Sequence, residues 1–461
     1  MNNWKGEKKM RNKKTWVILG MLVFVFLTGC GSSKNTFATV TENELFQTIP
    51  VMTGEKLEFS DVTDVGGGNF MITAANTTKQ EYDDYLAVLE QDGFKKHVDN
   101  SDSEGLEGYV YTSHYLKEEL LVVVSYLSKM EDTVITVGKD AVLSEHLFYS
   151  EDYVADNKEG AKTTITMPEL YTAGNSFILQ LKNGHFIIND GGEQDDLPYL
   201  LDFLDSKVEK GEKPIVEAWF ISHAHKDHMG TFLAFYEKQE YTNRLYVEEV
   251  YFTVPSVEAQ QGDAANYDQA ETLCFYTETV PGILRSTSGS APKQIRMRLG
   301  ERYFFNDFTI DVMFTPDILP YQEWKTWNAT SVGLMYTIEG QKMLITGDID
   351  WECQKVMLET FDDDYFNMAI YQAPHHGGNV YNQFSSHLKV DTILYPSFDV
   401  ERGKTALLGR RVQNQYLKSI SKEALGWGDG GVTLTFPYEV GTYEKLPLTE
   451  WIYHEEGPKN R

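Results

Sequence analysis

The chain has 461 residues, which is enough for two or three domains, and 41% of them are hydrophobic and 13% aromatic. That composition supplies a large packed core and excludes a mostly disordered chain. The net charge of −28 at pH 7 argues against broad, non-specific nucleic-acid binding, because such binding depends on lysine and arginine neutralising phosphates.

The first thirty residues are typical of a secretory signal. A basic segment is followed by an uncharged, mostly apolar stretch from Trp16 to Leu27, which is shorter than the roughly 20 residues that span a membrane. The stretch ends in Leu27-Thr28-Gly29-Cys30, and here the chain resembles bacterial lipoproteins, which are cleaved before a cysteine that carries lipid. The resemblance implies a signal peptide over 1–29 and a lipid anchor, such as palmitate, on Cys30. The alternative, an N-terminal anchor helix, also places the body outside the cytoplasmic membrane.

Charge and cysteine content limit the partners of the remaining chain. Without the signal peptide, 35 basic and 68 acidic residues remain, a net charge of −33. This favours a small-molecule or cell-envelope substrate over nucleic acid, although a local basic groove is not excluded. Cys274 and Cys353 are too few for a disulfide framework, so we expect two buried thiols, with a single bridge as the alternative.

The N-terminal part predicts a tether and a small folded unit. Residues 30–45 are polar, and residues 46–150 predict an α+β accessory unit without a cluster of catalytic groups. Its clearest element is a helix that Thr78 and Glu81 begin with a capping box and that Gly93 ends. The segments "GYVYTSHY", "ELLVVVSYLS" and "DTVITVG" then predict successive strands.

Residues 160–455 alternate between predicted strands and helices. The segment "SFILQLKNGHFIIND" predicts a hairpin through Asn183-Gly184. A helix with leucines at helical spacing follows, for which Asp196 is a candidate N-cap. The nearly continuous apolar run "IVEAWFIS" predicts a strand buried on both faces, and "KMLITGD" and "NMAIYQAPHHGG" each predict a strand that ends in polar or glycine-rich residues.

The segment "ISHAHKDH" places His223, His225, Asp227 and His228 within six positions, directly after the buried strand. Residues two apart in an extended segment point the same way, so His223 and His225 are expected to face one ion. Asp227 and His228 can face a second ion where the chain turns into a helix. Imidazole and carboxylate ligands suit a divalent ion such as Zn²⁺, with Mn²⁺ as the alternative. The crowding of these groups disfavours a merely solvated polar loop.

At these residues the chain resembles the metallo-β-lactamase superfamily, whose hallmark is HxHxDH after a buried strand. The resemblance covers about 170–400. It implies an α/β fold, the αββα sandwich, behind the small N-terminal α+β unit. It also implies further functional residues at Asp348 of "LITGDID" and at His375 and His376 of "APHHGG". Asp190 of "NDGG" would lie behind the ligands and orient one of the histidines, with a turn aspartate as the alternative reading.

The resemblance implies two metal sites that share one aspartate. The first would consist of His223, His225 and Asp348, and the second of Asp227, His228, Asp348 and one of the two final histidines. We assign His375 to the metal, and Asp227, Asp348 and His376 to catalysis. Most members of the superfamily carry another histidine before the shared aspartate, but this chain has none between His228 and His375. A weaker first site, a single working ion and a replacement ligand all remain open.

The chain resembles one branch of the superfamily in two features: it lacks this histidine, and it contains "TGDI…HHG". That branch contains the nuclease-like domains of DNA-uptake competence proteins and bacterial phosphorylcholine esterases, and "WNATSVGLMYTIEGQKMLITGDI" is similar to its asparagine–serine strand. The resemblance implies hydrolysis of a phosphoester or phosphodiester by a metal-activated water. A nuclease and a non-catalytic surface-binding lipoprotein are the alternatives. A β-lactam or lactone substrate is disfavoured, because superfamily members that act on such substrates usually have the histidine that this chain lacks.

Three tryptophans have two interpretations. Trp324, Trp327 and Trp427 could line a pocket for a sugar or a quaternary ammonium group. Alternatively, they pack loops onto the core, which is the more common use of large aromatic side chains.

Overall fold

The computed structural model describes residues 42–99, 106, 108–139, 142–147, 156–171, 174–237, 239–254, 280, 282, 291–306, 308–319, 327–397, 412–427 and 430–447. The predicted signal peptide, Cys30, Cys274 and Trp324 lie outside these residues. Among the helices within them, none combines the length and the apolar character that crossing a membrane requires.

The N-terminal part forms an antiparallel sheet of seven strands. They are β1 Glu58–Phe59, β2 Thr63–Gly66, β3 Asn69–Ala75, β4 Lys95–Asp99, β5 Val110–Lys117, β6 Leu120–Leu127 and β7 Asp132–Lys139. Their order is β1-β3-β7-β6-β5-β4, and β2 pairs with β3. The three strands predicted after the helix are β5, β6 and β7, so this prediction is confirmed.

The helix Lys79–Gln91 covers one face of this sheet. Its capping box is present as predicted, because Thr78 Oγ1 accepts from the Glu81 amide at 3.2 Å and Glu81 Oε2 accepts from the Thr78 amide at 2.8 Å. The buried rings of Tyr82 and Tyr85 join an apolar core with the strands behind the helix. Burial of side chains of this size stabilises the unit by roughly 1.5–3 kcal/mol each.

The other face of the N-terminal sheet packs against the rest of the chain. Thr112 Oγ1 donates to the Leu299 carbonyl at 3.0 Å, and His114 Nε2 lies 2.9 Å from Glu301 Oε1 in the buried contact. Gly300 permits this approach, since a Cβ atom there would lie 2.1 Å from Thr112 Oγ1. The N-terminal sheet therefore contacts the rest of the chain through buried polar groups. The domain boundaries expected from the sequence stay predictions.

Two further sheets follow in the chain. Their strands are β8 Thr164–Met167, β9 Ser176–Gln180, β10 Phe186–Asp190, β11 Ile215–Ile221, β12 Tyr246–Phe252, β13 Lys293–Arg296, β14 Arg302–Phe305, β15 Phe308–Phe314, β16 Gly333–Ile338, β17 Gln341–Ile345, β18 Asn367–Gln372, β19 Lys389–Leu394, β20 Glu423–Leu425, β21 Val432–Thr435 and β22 Tyr443–Lys445. One sheet has the order β13-β12-β11-β10-β9-β8-β21-β22, and the other runs from β14 to β20 in chain order. The strands β10 to β13 are parallel, as are β17 to β20.

These two sheets face each other across an apolar core. Ile187 and Phe220 of the eight-stranded sheet belong to the same buried cluster as Val312 and Ile345 of the seven-stranded sheet. The predicted hairpin is formed by β9 and β10, and the predicted doubly buried strand is β11, which lies between β10 and β12. The alternation of side chains in β11 sends Phe220 to this core and Trp219 to the opposite face.

Helices cover the outer faces of both sheets. They are Leu197–Asp205, Lys226–Glu237 and Gln239–Thr242 beside the eight-stranded sheet, and Trp351–Thr360, Asn382–Ser385 and Val412–Ile420 beside the seven-stranded sheet. The ring of Trp219 contacts Phe232 with centroids 5.3 Å apart, and Tyr371 contacts Phe384 at 6.3 Å. The layers are therefore helix, sheet, sheet, helix, which is the predicted αββα sandwich.

Several local predictions meet different outcomes. Asp196 lies at the N-cap of the helix Leu197–Asp205, as predicted, but its side chain does not cap that helix, because its carboxylate accepts from the amides of Tyr171 and Glu193. Cys353 is a free, buried thiol, as expected. Trp327 and Trp427 are 2% and 1% exposed, so the packing interpretation holds for both.

Candidate metal centre

The candidate site lies at the carboxyl ends of parallel strands. Asp190 ends β10, and His223 follows two residues after β11. Asp348 and His375 each come three residues after a strand, β17 and β18 respectively. Parallel neighbours end at the same edge of their sheet, so the topology brings these side chains together, as is usual for ligand sites in α/β folds.

The first group of candidate ligands consists of His223, His225 and Asp348, whose ligand atoms lie within 4.8 Å of one another. His223 Nε2 lies 2.9 Å from His225 Nδ1 and 4.0 Å from Asp348 Oδ2. His223 is buried and His225 is half-buried. The short distance between these two rings places both at one candidate ion site, as the spacing predicted.

The second group consists of Asp227, His228 and His376. Asp227 and His228 lie in the first turn of the helix Lys226–Glu237. Asp227 Oδ2 lies 3.2 Å from His376 Nε2 and 3.9 Å from His228 Nε2. The start of this helix therefore turns the second half of the HxHxDH segment toward the loop that follows β18.

Asp348 reaches both groups with its two carboxylate oxygens. Oδ1 lies 3.1 Å from His228 Nε2, and Oδ2 lies 4.0 Å from His223 Nε2 and 3.9 Å from His376 Nε2. His228 Nε2 and Asp348 Oδ1 are close but not aligned for a hydrogen bond, and both atoms are buried without a hydrogen-bond partner among the residues that the structure describes. Buried polar atoms are rarely left unsatisfied, and a cation between these two atoms would satisfy both.

Asp190 holds the far side of the His228 ring. Its Oδ2 lies 2.8 Å from His228 Nδ1 and also accepts from Asn175 Nδ2 and Ser222 Oγ at 2.8 Å. Its Oδ1 accepts from the Ser222 amide at 2.7 Å. A carboxylate accepts but does not donate, so the Nδ1 of His228 carries a proton and Nε2 is turned toward Asp348.

The paired histidines occupy different positions. Both have left-handed backbone angles, with φ of 52° for His375 and 54° for His376, and their ring centroids lie 5.8 Å apart. The His376 side chain is 8% exposed and contacts Asp227, whereas the His375 side chain is 41% exposed and its Nε2 lies 3.7 Å from Asp348 Oδ2. His376 therefore belongs to the second group of candidate ligands, while the sequence-based assignment of His375 to the metal and His376 to catalysis stays a prediction.

Burial and neighbouring charges shift the pKa values of the histidines in opposite directions. Burial, together with the charges of His228 and His225, lowers the pKa of His223 well below its ordinary value. Burial also lowers the pKa of His228, but the carboxylates of Asp348, Asp190 and Asp227 outweigh it and raise that pKa well above the ordinary value. The carboxylates thus dominate the electrostatics around His228.

The two carboxylates nearest the histidines stay ionised. Burial raises the pKa of Asp227, but the charge of His228 and the hydrogen bond from His376 outweigh it and lower the pKa. Burial likewise raises the pKa of Asp348, and the charges of His228, His375 and His376 bring it well below its ordinary value. Ionised carboxylates beside imidazoles in a buried position form a donor set that attracts a divalent cation.

Two residues that the sequence did not single out contact this centre. Asn328 Nδ2 lies 3.1 Å from His375 Nδ1, and Ser331 Oγ accepts from the Asp348 amide at 3.1 Å. Both belong to the "WNATS" segment, which leads into β16. The only signal in the sequence was its similarity to an asparagine–serine strand, which predicted no contact.

Comparisons with known proteins give few constraints. A scan against protein-family models finds no match, and neither does a search of curated proteins. Among solved structures, the metallo-beta-lactamase fold protein YhfI from Bacillus subtilis is 14% identical with a TM-score of 0.34, and the match covers 57% of this chain and 95% of that one. A protein of unknown function from Enterococcus faecalis is 16% identical with a TM-score of 0.27, over 46% of this chain and 49% of that one.

A metallo beta lactamase from Hirschia baltica is 10% identical with a TM-score of 0.21, over 64% of this chain and 72% of that one. Likenesses at these TM-scores carry no weight for the activity. The fold assignment rests on the strand order and on the two helical layers of the chain itself.

Proposed function

We propose that this chain is a metal-dependent hydrolase of the metallo-β-lactamase fold that cleaves a phosphoester or phosphodiester bond outside the cell. One observation carries the proposal: the buried carboxylate of Asp348 reaches both groups of candidate ligands, with Oδ1 3.1 Å from His228 Nε2 and Oδ2 4.0 Å from His223 Nε2. A carboxylate between two sets of imidazoles has the position of a ligand that two divalent ions share.

The side chains present fit Zn²⁺, with Mn²⁺ as the alternative ion. Zn²⁺ binds imidazole nitrogen and carboxylate oxygen at about 2.0–2.2 Å, so ligand atoms around one ion lie roughly 3–4 Å apart. The ligand atoms within each group lie within 4.8 Å of one another. One group would consist of His223, His225 and Asp348, and the other of Asp227, His228, His376 and the shared Asp348.

A bound divalent ion supplies Lewis acidity and a water of lowered pKa. The residues of the chain hold the surrounding groups in place. Asp190 keeps His228 Nδ1 engaged at 2.8 Å, so Nε2 faces the centre. The side chains of Asp227 and His375 are 24% and 41% exposed, whereas those of His223 and His228 are buried. Substrate therefore approaches from the side of Asp227 and His375.

Two observations support a phosphoester bond in a small or cell-envelope substrate. The combination of "TGDI…HHG" with a missing middle histidine resembles a branch that includes phosphoesterases. The net charge of −33 without the signal peptide favours a small or cell-envelope phosphoester over DNA, because it repels a polyanion. A nuclease and a non-catalytic binding lipoprotein remain as competing outcomes of the experiment below.

We also propose that the chain is anchored to the outer face of the cytoplasmic membrane by lipid on Cys30. The support is the order of segments at the N-terminus: a basic region, an apolar stretch and the Leu27-Thr28-Gly29-Cys30 box. An anchor there would keep the hydrolase within reach of envelope substrates.

The test uses the purified full-length chain, stripped of metal by a chelator and reloaded with Zn²⁺ or Mn²⁺. Its substrates are bis-p-nitrophenyl phosphate, p-nitrophenyl phosphorylcholine, single-stranded DNA and nitrocefin. We expect metal-dependent turnover of at least one nitrophenyl phosphoester and none of nitrocefin. Cleavage of DNA alone would identify a nuclease, and a chain that binds no metal and turns over nothing would be a binding protein.

A further inference from the structure

The ring of His375 has two differently placed nitrogens. Nδ1 lies 3.1 Å from Asn328 Nδ2, which is a hydrogen-bond distance. Nε2 lies 3.7 Å from Asp348 Oδ2, which is too long for a hydrogen bond. An amide nitrogen only donates, so Nδ1 accepts and the proton of a neutral ring sits on Nε2. The N–H group of Nε2 therefore has no acceptor in Asp348.

The orientation of the Asn328 amide follows from its surroundings. Asn328 is 6% exposed, and its Oδ1 is buried without a hydrogen-bond partner among the described residues. Its Nδ2 faces His375 Nδ1 in the structure. Amide orientation is assigned from such hydrogen bonds, and here they place Nδ2 toward His375.

The backbone holds Asn328 and His375 in this relation. Asn328 lies in the short 3-10 turn Trp327–Thr330, whose carbonyl at Asn328 accepts from the Ser331 amide at 3.0 Å. The His375 amide donates to the Gly347 carbonyl at 3.1 Å, one residue before Asp348. The left-handed backbone of His375 turns its ring to the exposed side of the centre. Such a conformation costs roughly 1–3 kcal/mol and tends to occur at functional sites.

We propose that Asn328 is a positioning residue that holds His375 with its proton on Nε2, and that this N–H donates to an anionic oxygen of the substrate. The ligand class is a phosphoryl or other tetrahedral oxyanion approaching from the side of Asp227. The inference rests on the proposed function, since it gives His375 a role in binding the substrate of that same centre. It also separates the two adjacent histidines: His376 holds metal, and His375 contacts substrate.

Three variants distinguish this role from a merely structural one. Asn328→Asp replaces the donor with a carboxylate, which only accepts and therefore selects the ring with its proton on Nδ1. Asn328→Ala removes the side chain that favours one ring nitrogen of His375 as the site of the proton. Asn414→Ala is the matched control, because Asn414 Nδ2 donates to the Gly377 carbonyl at 2.8 Å and so supports the same loop at a different residue.

The experiment combines three measurements on the full-length chain loaded with Zn²⁺. Nitrogen NMR of ¹⁵N-histidine-labelled protein, assigned with His375→Gln, reads which ring nitrogen carries the proton. Metal analysis reads the Zn²⁺ content, and kinetics with bis-p-nitrophenyl phosphate separates kcat from KM. We expect the proton on Nε2 in the wild type and in Asn414→Ala, and on Nδ1 in Asn328→Asp. We expect unchanged Zn²⁺ content in Asn328→Asp and a loss of about 10²-fold in kcat, as for other lost oxyanion donors.

Three results would overturn the inference. They are a proton on Nδ1 in the wild type, full turnover by Asn328→Asp with its proton moved, and loss of Zn²⁺ from His375→Gln, which would make His375 a ligand. Failure of the proposed function looks different, because the wild type itself would then bind no Zn²⁺ or hydrolyse no phosphoester.

Discussion

Asp190 and His228 are joined at 2.8 Å through the Nδ1 atom of the imidazole, while the Nε2 atom of the same ring lies 3.1 Å from Asp348. The ring is therefore held between a carboxylate behind it and the candidate metal centre in front of it. Outer carboxylates of this kind fix the tautomer of a ligand histidine and its orientation.

Replacing Asp190 with asparagine tests that relation. Asp190→Asn keeps the left-handed φ of 56°, which asparagine tolerates, but it weakens the acceptor for His228 Nδ1. We expect the affinity for Zn²⁺ to fall about 10–100-fold, measured by competition with a chromophoric chelator. Asp202→Asn is the control, because Asp202 is exposed and pairs with Arg244. Equal affinities in the wild type and Asp190→Asn would rule out an orienting role for Asp190.

The two final histidines give a second prediction. His376→Ala removes a candidate ligand that lies 3.2 Å from Asp227, so we expect it to lose bound metal. His375→Ala removes the exposed ring that would donate to the substrate, so it should keep its metal while turnover falls roughly 10²-fold. Metal analysis of both variants and the wild type decides which of the two histidines binds the metal. The reverse result, in which only His375→Ala loses metal, would confirm the sequence-based assignment.

Glu301 provides a prediction about stability and pH. Burial raises the pKa of Glu301, but the hydrogen bond and charge of His114, together with Arg298, outweigh it and lower that pKa below its ordinary value. A carboxyl whose pKa is lower in the folded state stabilises the fold above its unfolded pKa, and this contribution disappears as the pH falls through the folded pKa.

We therefore expect Glu301→Gln to lower the free energy of unfolding by about 3 kcal/mol at neutral pH, as for other broken buried pairs. The difference from the wild type should shrink below about pH 4, where the unfolded carboxyl is protonated. Denaturant unfolding at both pH values measures it, with the exposed Glu119→Gln as control. A penalty that stays constant with pH would show that the charge of Glu301 does not contribute.

The lipid anchor has its own test. We expect Cys30→Ser to abolish incorporation of labelled palmitate in a bacterial host and to prevent release of the segment before residue 30, because the thiol that carries lipid is gone. Cys274→Ser is the control and should be labelled like the wild type. Unchanged labelling of Cys30→Ser would contradict the lipoprotein signal.

Local patterns predicted most of the fold. The capping box of Thr78 and Glu81, the hairpin of β9 and β10 and the buried strand β11 each depend on residues close in sequence, and all three are present. Asp196 lies at the predicted N-cap position, but its carboxylate accepts from the Glu193 amide in a preceding 3-10 turn, which the leucine pattern did not indicate.

The sequence predicted which residues form the candidate site, because they follow the ends of strands, but it did not predict how their roles divide. The positions of the His375 and His376 rings depend on left-handed backbone angles at both residues. Residues other than glycine rarely adopt this conformation, so the sequence does not predict it. The contact of Asn328 with His375 also depends on the fold, because it joins two loops far apart in the chain. The same holds for His114 and Glu301, which meet across two sheets.

The most direct test of a shared metal centre is the Zn²⁺ content of Asp348→Asn, measured together with its turnover of bis-p-nitrophenyl phosphate. We predict that this nearly isosteric change keeps the circular dichroism spectrum of the wild type, weakens Zn²⁺ binding in both groups and abolishes turnover, because one carboxylate serves both. An Asp348→Asn variant that binds as much Zn²⁺ as the wild type and hydrolyses the substrate at the same rate would contradict the centre described here.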